Sequence, residues 1–420
     1  MLERLGFPAV GEHRRFVAAI AVDTVGGGLF MPVSILYFLA LTDLSLVQVG
    51  AAISVASLIS LPVTPLLGSI VDRWGARSII LGANLLQAAG FVAYLFTESY
   101  WSVLGWTVVV SLGRAAFFAS YGNIVTSISA PGEREKWFGF LGAVRNIGYA
   151  VGGLLAGVAV SLDSVTAYQA IAVANAVSFL VSFALLLDLP RTPRAVHTDG
   201  AGGWGVVLRD RPYLVLWVLQ LLFACSMMVL NFAFPVYAVT VLGLPGWVTG
   251  AVFTINTVMV GFGQGLVVRA ITGRIRWRVL VGAQAFFAAG YLVMLLAGRV
   301  GVLAGTVAML AGAIVYSLGE LVGNPVHAAV AAESAPDHLR GRYLSLIQLS
   351  WGIAGTIGPV AYLWLLDQGR SQLWWVMIGV TVASTALAMV VGRILPRAGE
   401  PITNQAEPAG PSGSLEHDPL

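Results

Sequence analysis

Twelve apolar runs, each 20 or more residues long, make up the greater part of the sequence. A helix needs about 20 consecutive apolar residues to cross the hydrocarbon core of a bilayer, so each run can span a membrane. Hydrophobic side chains form 58% of the chain and charged side chains only 10%, which excludes an ordinary soluble globular protein. The sequence therefore predicts an all-α integral membrane protein with 12 transmembrane helices. The runs are 16–40, 48–70, 78–97, 101–128, 137–160, 166–187, 213–241, 247–270, 278–298, 301–332, 343–366 and 372–394.

The two halves of the chain resemble each other, with an offset of about 200 residues. Internal similarity on this scale, carried by apolar runs, indicates two pseudo-symmetric halves of six helices joined in parallel. Many secondary transporters are built in this way, with the solute site near the middle of the membrane between the halves. The matching segments are Gly82-Ala83 with Gly282-Ala283, Ala88-Ala89-Gly90 with Ala288-Ala289-Gly290, Ser111 to Arg114 with Ser317 to Glu320, and Ser129 to Pro131 with Ser334 to Pro336.

This division predicts four segments along the chain. We expect an N-terminal six-helix bundle over residues 1–187 and a C-terminal six-helix bundle over 212–395. Residues 188–211 between them are rich in glycine and proline, and we expect a cytoplasmic linker there. Residues 396–420 are rich in proline and polar side chains, so we expect a disordered cytoplasmic tail.

The basic residues lie mainly on one side of the predicted membrane. Of the 23, 19 fall on the side of the N-terminus, two (Arg299 and Arg370) fall on the other side, and two (Arg114 and Arg145) lie within runs. Cytoplasmic loops carry the excess of Lys and Arg, so both termini are expected in the cytoplasm. The preference for arginine, with Lys136 as the one lysine, is typical of a GC-rich bacterial gene. We therefore expect a multi-pass protein of the bacterial inner membrane, and the positive net charge gives no reason to expect nucleic acid.

Residue usage also excludes several kinds of chemistry. Lys136 does not lie in a G-x-x-x-x-G-K-[ST] loop, so ATP is not the direct energy source. Cys225 is the one cysteine, which excludes an internal disulfide and a multi-cysteine metal site, and we expect it to pack among apolar side chains. No second histidine or cysteine stands at ligand spacing from His327. We expect no metal and no cofactor, and partners limited to a small-molecule solute, protons and lipid, in a monomer.

A signature segment lies between the second and third runs. It reads Gly68-Ser69-Ile70-Val71-Asp72-Arg73-Trp74-Gly75-Ala76-Arg77 and resembles the loop of the major facilitator superfamily written G-x-x-x-D-R-x-G-R-R, from which it departs at Ala76. The resemblance covers nearly all of residues 14–395 and implies a fold of twelve helices that transports solutes by alternating access. It also implies a conformational switch, in which the aspartate docks at the cytoplasmic start of the eleventh helix. The predicted switch residues are Gly68, Asp72, Arg73, Gly75 and Arg77.

The corresponding loop of the second half, from Gly265 to Arg278, keeps four arginines but has no acid. We expect it to keep the topological role of the first loop and to lose its role as a switch. On the fifth run, Gly148 to Gly153 resembles a degraded antiporter motif that ends G-P-x-x-G-G, with Tyr149 in place of proline. This resemblance favours export, although close packing of small residues explains it equally well. The residues concerned are Gly148, Gly152, Gly153, Gly358 and Pro359.

Four ionisable side chains stand out in the interior of the predicted membrane helices: Asp23, Arg114, Arg145 and Glu320. Such groups are costly in lipid and are candidates for a functional role, with structural ion pairing as the alternative. Arg114 and Glu320 occupy matching positions in the repeat, so we expect opposite charges at similar depth across a central cavity. Asp23 and Arg145 match in depth as a second pair. Arg114 resembles the helix-four arginine of superfamily antiporters, which is proposed to govern carboxylate protonation.

Further candidates lie on helix faces toward the expected cavity. Glu320, Asn324 and His327 share one face of the tenth run and form a polar stripe that suits proton transfer or solute binding, although His327 alone is as well explained by packing. Aromatic surfaces suit bulky hydrophobic solutes. The predicted substrate-cavity residues are Phe30, Tyr37, Phe117, Tyr121, Asn231, Tyr237, Tyr316, Asn324 and Trp351, and the predicted coupling residues are Asp23, Arg114, Arg145, Glu320 and His327.

Together these features favour a secondary active transporter, most simply a proton-coupled exporter of a hydrophobic or amphipathic small molecule such as a drug or secondary metabolite. Proton-coupled uptake of a nutrient or metabolite is the alternative within transport. A membrane-embedded enzyme that modifies lipids is a remote alternative, because the loops are short and carry no cluster of acid, base and nucleophile.

Overall fold

A computed structural model of the chain describes residues 7–130, 132–161, 164–189 and 203–404. Regular structure in these ranges is helical, apart from one isolated β-bridge between Ile275 and Pro401. The helices of the first half are α1 (Arg14–Phe30), α2 (Ser34–Leu41), α3 (Leu46–Ser60), α4 (Val63–Trp74), α5 (Ala76–Tyr94), α6 (Tyr100–Ile128), α7 (Arg134–Ser161) and α8 (Val165–Leu186). The remainder are α9 (Trp204–Val207), α10 (Arg211–Val236), α11 (Trp247–Ile271), α12 (Arg276–Ala297), α13 (Val302–Ser334), α14 (Arg340–Asp367), α15 (Gln372–Ile394) and α16 (Pro396–Gly399).

The predicted membrane spans are confirmed. Among the described residues, eleven helical segments are long and apolar enough to cross a membrane, and a bent pair, α3 with α4, makes the count twelve when it is taken as one span. The bend is 47° and lies at Leu61-Pro62, where the sequence predicted one continuous run. Proline lacks a backbone N–H and clashes with the preceding turn, which explains the break.

Two helical bundles form the molecule. In the first half α1 packs along α7 and α8, and α5 packs along α6 and α8. In the second half α12 packs along α13 and α15, and α10 packs along α14 and α15. Each of the four apolar core clusters draws its buried residues from one half only. The halves are therefore separately cored units, and the contacts between them are free to carry conformational change.

Glycines bring α1 and α7 into close contact. A Cβ atom on Gly28 would lie 2.6 Å from the carbonyl oxygen of Tyr149, and a Cβ atom on Gly152 would overlap the backbone of Val25. Gly148 likewise faces the side chain of Thr24. Two other members of the predicted packing set behave differently. A Cβ atom would meet no neighbour at Gly153, so the prediction of close helix packing is wrong there. At Gly358, ahead of Pro359 inside α14, the nearest atoms to a Cβ would be those of the Tyr362 side chain on the same helix.

The C-terminal segment 396–404, called the strap below, is ordered. The prediction of a disordered tail is wrong for these residues, while 405–420 lie outside the described residues. The side chain of Ile402 is fully buried, and its backbone exchanges hydrogen bonds with Gly273 (2.7 Å) and Arg274 (2.9 Å). The strap is therefore tied to the turn between α11 and α12. Most of the predicted linker, 190–202, also lies outside the described residues.

Candidate functional site

The two halves meet at the end of the bundle that carries Arg14 at the start of α1 and Arg393 at the end of α15. We call it the basic end. The helix pairs in contact across the halves include α4 with α14, α7 with α11 and α7 with α13. Gly68 on α4 faces Gly341 on α14 so closely that a Cβ atom on Gly68 would lie 2.6 Å from the carbonyl oxygen of Gly341. The basic end is thus closed by direct backbone approach.

The first polar contact between the halves is made by Asp72. Its carboxylate accepts hydrogen bonds from the backbone N–H groups of Gly341 (2.6 Å) and Arg342 (3.3 Å), and from the guanidinium of Arg342 (3.1 Å). These N–H groups belong to the first turn of α14, where no intrahelical acceptor is available. The positive end of the helix dipole adds to the attraction for a carboxylate. Asp72 therefore has a contact that exists only while the halves are together at this end.

The other predicted switch residues surround this contact in different ways. Gly75 ends α4 with a φ of +84°, a left-handed conformation that favours glycine. Arg73 is exposed, and Arg77 donates a hydrogen bond to the Leu187 carbonyl of its own half. Ser69, which the sequence did not single out, accepts hydrogen bonds from Arg342 (3.1 Å) and from the indole of Trp204 in the linker (2.9 Å).

A second contact between the halves consists of buried charges. Arg276, at the start of α12, pairs with Glu135 at the start of α7 (2.5 Å) and with Glu333 near the end of α13 (2.9 Å). Arg276 is 2% exposed and Glu135 is fully buried, while Arg134 lies 3.7 Å from Glu333. We call Arg134, Glu135, Arg276 and Glu333 the charge cluster. The loop before α12 therefore does more than carry positive charge, contrary to the expectation from its lack of an acid.

The strap completes this cluster. The carboxylate of Glu400 lies 3.4 Å from the Arg276 guanidinium, which also donates a hydrogen bond to the Arg397 carbonyl (3.1 Å). At the far end of the strap, Thr403 donates a hydrogen bond to the carbonyl of Gly132 in the first half (3.2 Å). The strap thus contacts both halves at the basic end.

Removal of the strap is expected to loosen the basic end. Truncation after Leu395 removes the buried Ile402 side chain, whose burial contributes about 1.5–3 kcal/mol, together with the polar contacts to Arg276. We expect a lower melting temperature of the purified protein, whereas truncation after Asn404 serves as the matched control and should leave it unchanged. Equal melting temperatures for the two truncations would show that the strap makes no net contribution.

Three charges of the first half lie together at the middle of their helices. The guanidinium of Arg145 lies over the rings of Phe118 (4.6 Å) and Tyr121 (5.6 Å), and that of Arg114 lies 5.9 Å from the same Phe118 ring. Asp23 is close enough to interact electrostatically with both arginines. The predicted proximity of Asp23 and Arg145 is therefore present, and Arg114 joins them.

Glu320 of the second half has a different partner from the one expected. Its carboxylate accepts a hydrogen bond from the side-chain amide of Asn256 on α11 (2.7 Å), which also donates to Ser317 (3.0 Å). Arg114 and Glu320 each lie 14 residues from the basic end of their helices (128 − 114 and 334 − 320), about 21 Å along the axis. Within the described ranges they form no ion pair with each other, so the expectation of a direct pair is wrong for this conformation.

The polar stripe on α13 is divided among different neighbours. His327 is 1% exposed and lies 4.3 Å from the ring of Phe223 on α10, whereas Glu320 faces α11. Both ring nitrogens of His327 lack a hydrogen-bond partner among the described residues. Asn324, between them, is partly exposed. Packing describes His327 better than a role in one continuous stripe.

The predicted cavity residues fall into two groups. Phe30 and Tyr37 pack in one aromatic core of the first half, and Tyr237 and Tyr316 pack in a core of the second half. The hydroxyl groups of Tyr237 and Tyr316 donate to carbonyls of their own half, at Met294 and Ser226. These four side chains therefore stabilise the halves in this conformation and do not line a space between them. Asn231 is exposed, Trp351 is partly exposed, and Tyr121 stacks with the buried Phe117 beside Arg145.

Sequence reasoning missed Asn256 and the charge cluster. The one available signal for the cluster was the repeat, which aligns Pro131 with Pro336. In this alignment Glu135 is equivalent to Arg340, the residue before the two whose N–H groups contact Asp72. By this equivalence, an acid at the start of the fifth span is expected to contact a cation of the other half, and that cation is Arg276.

Comparisons with known proteins agree with this architecture. The model of the family described as Major Facilitator Superfamily matches residues 16–305 and 270–417. The chain is 25% identical over 352 residues to the multidrug resistance protein MdtH of Shigella boydii serotype 4 (strain Sb227), covering 82% of this chain and 84% of that protein. The MdtH of Klebsiella pneumoniae (strain 342) is also 25% identical, over 356 residues, with 81% and 84% covered.

Solved structures share the fold at low sequence identity. A bacterial homologue of the iron transporter ferroportin, in an outward-facing state, superposes with a TM-score of 0.75 at 18% identity, covering 90% of this chain and 99% of that one. The human organic anion transporter MFSD10 (TETRAN) superposes with a TM-score of 0.67 at 16% identity and the same coverage. From its family match and its architecture, the chain belongs to the Major Facilitator Superfamily and is a multi-pass membrane transporter, not an enzyme.

Proposed function

We propose that the chain is a proton-coupled exporter of hydrophobic or amphipathic small molecules that works by alternating access. The observation that carries the proposal is the placement of Asp23 and Glu320, one carboxyl group in each half, in the interior of membrane-spanning helices. Ionisable groups at such depth are typical of solute and proton pathways. The multidrug resistance proteins that are 25% identical to the chain support export as the direction.

We assign the basic end to the cytoplasm of a bacterial cell, because the excess of arginine lies there. With this orientation both chain ends are cytoplasmic, and the contacts of Asp72 and of the charge cluster close the cytoplasmic side. We therefore assign the conformation to the outward-facing state. In that state the mid-membrane carboxyl groups are placed to take up protons from outside.

The two carboxyl groups have different surroundings and are suited to different steps. Asp23 lies near two cations, Arg114 and Arg145, so loss of its charge on protonation leaves them without a counter-charge. Glu320 accepts a hydrogen bond from the neutral amide of Asn256. Protonation of the Glu320 carboxylate adds an O–H donor there and leaves no cation without a counter-charge. In the proposed cycle, protons bind in the outward-facing state, the basic end opens, and solute replaces protons from the cytoplasmic side.

Substitution of Glu320 by glutamine, or of Asp23 by asparagine, is expected to abolish export driven by a pH gradient. Both changes keep the side-chain shape and remove the titrating group. Exchange of labelled solute across the membrane needs no net proton movement and is expected to persist. The measurement uses purified protein in proteoliposomes, with a pH gradient imposed in each direction and a trapped pH-sensitive dye that reports proton flux.

The matched control is Asp43→Asn, since Asp43 is exposed in the loop between α2 and α3. Wild-type uphill export by both the Glu320→Gln and the Asp23→Asn variants would contradict the proposed coupling. Movement of protons and solute in the same direction would identify the protein as an uptake symporter instead.

A further inference from the structure

We propose that the transported solutes are aromatic or amphipathic organic anions, and that Arg114 binds their acidic group. This inference rests on the proposed transport function and names its substrate class. The observation behind it is the local charge balance of the first half, where two guanidinium groups, Arg114 and Arg145, share one carboxylate, Asp23.

The guanidinium groups of the two arginines differ in the number of partners that surround them. Arg145 lies against Phe118 and Tyr121 and interacts with Tyr149 and Asp23, so its charge is held on several sides. Arg114 is exposed, lies over Phe118 at 5.9 Å, and forms no salt bridge with any carboxylate among the described residues. Its guanidinium therefore has donors available for a ligand.

The exposed face of Arg114 points toward the interior of the transporter. Arg114 interacts electrostatically with Asp23 on α1, and it shares the Phe118 ring with Arg145 of α7, so it lies on the side of α6 that faces these two helices. Glu320 of the opposite half lies at the same depth but forms no ion pair with Arg114 among the described residues, and its carboxylate accepts a hydrogen bond from Asn256 instead. A net charge of +1 thus remains within the first half at mid-membrane depth, where an unpaired cation is costly. A bound anion removes that cost.

The geometry also indicates the kind of anion. A guanidinium presents several N–H donors in a plane that matches a carboxylate, sulfonate or phosphate group. Phe118 beside Arg114, and Tyr121 beside the neighbouring Arg145, provide ring faces and edges for an aromatic body, as apolar ligand pockets commonly do. An acid group on an aromatic frame fits both features, and a cationic amphiphile would face two guanidinium groups.

Three fluorescent probes that share one aromatic body test the inference: 1-pyrenebutyrate, its amide, and the corresponding trimethylammonium compound. Energy transfer from the 12 tryptophans of the purified protein to pyrene reports binding. We expect the carboxylate to bind about 10- to 100-fold more tightly than the amide, which is the range for a hydrogen bond to a charged group. Arg114→Gln should reduce this preference to less than about threefold while the affinity for the amide stays the same.

Two further variants make the result specific. Arg114→Lys keeps the charge and should restore part of the preference, whereas Arg299→Gln, at an exposed loop arginine, should behave as wild type. Equal binding of the carboxylate and the amide, or a preference for the trimethylammonium probe, would overturn the inference. If the neutral or cationic probe is nevertheless exported with proton flux, proton-coupled export remains supported, and only the inference that the solutes are anions fails. Lack of proton flux with every probe contradicts the proposed function itself.

Discussion

Replacement of Arg276 by glutamine is expected to open the basic end and to abolish most transport. The substitution removes the cation that pairs with the fully buried Glu135 and leaves Glu333 with the more distant Arg134, 3.7 Å away. Loss of one partner from a buried ion pair costs about 3–5 kcal/mol. Because about 1.4 kcal/mol is a tenfold change in an equilibrium constant, the population of the closed state should fall by roughly 100-fold or more.

Spin labels at Glu12 and Arg274 would measure this change in a protein whose native Cys225 has been replaced by alanine. Both positions are exposed, at the basic end, on opposite halves. The matched control is Arg278→Gln, two residues along α12, where the guanidinium is exposed and lies over Trp277. A distance distribution that stays the same in the Arg276 variant would show that the charge cluster does not hold the end closed.

A double variant separates opening from misfolding. Arg276→Gln combined with Glu135→Gln removes both members of the shortest pair in the cluster. If the single change acts by leaving a buried charge uncompensated, the double variant should recover part of the closed population, because the two effects are not additive. Greater opening in the double variant would mean that the two side chains act independently.

The two contacts at the basic end are related by the internal repeat and carry opposite charges. In one, an acid in the last turn of the second span, Asp72, meets the first turn of the eleventh span. In the other, a cation at the start of the ninth span, Arg276, meets the start of the fifth span at Glu135. Each contact joins one half to the other, so both contacts break together when the halves separate at the basic end.

The membrane spans could be predicted from sequence because apolar runs report directly on burial in lipid. Helix ends agree with the predicted runs to within a few residues, since charged residues and glycines mark where each run leaves the apolar region. The bend at Leu61-Pro62 did not interrupt the apolar pattern and was invisible to this reasoning. The strap was missed for the opposite reason, because a single buried side chain, Ile402, orders a segment whose composition is that of a tail.

The pairing of charges could not be predicted from depth alone. Arg114 and Glu320 match in depth, yet they belong to halves that do not bring these two side chains into contact in this conformation. Glu135 and Arg276 are 141 residues apart, and the packing of α7 against α11 and α13 of the other half brings their helix starts together. Repeat symmetry places residues at equivalent heights, whereas the conformational state decides which of them touch.

Substitution of Asp72 by asparagine is expected to shift the transporter toward the state in which the basic end is open. The carboxylate accepts from two backbone N–H groups of α14 and from the Arg342 guanidinium, and an amide keeps one acceptor and no charge. Hydrogen bonds that involve a charged group contribute about 1.5–3 kcal/mol, so the closed population should fall roughly 10- to 100-fold. The effect is smaller than that of Arg276→Gln, because the ion left without its carboxylate partner, Arg342, is partly exposed, whereas Glu135 is fully buried.

The same spin-label pair at Glu12 and Arg274 measures this shift, and Asp337→Asn is the matched control because Asp337 is exposed beside the start of α14. The Asp72 variant should bind solute normally, since the substituted group lies at the basic end and not beside Arg114 or Glu320. Slow turnover with normal binding and longer label distances would establish the switch. Lost transport with an unchanged distance distribution would contradict it and would point to folding or solute contact as the role of Asp72.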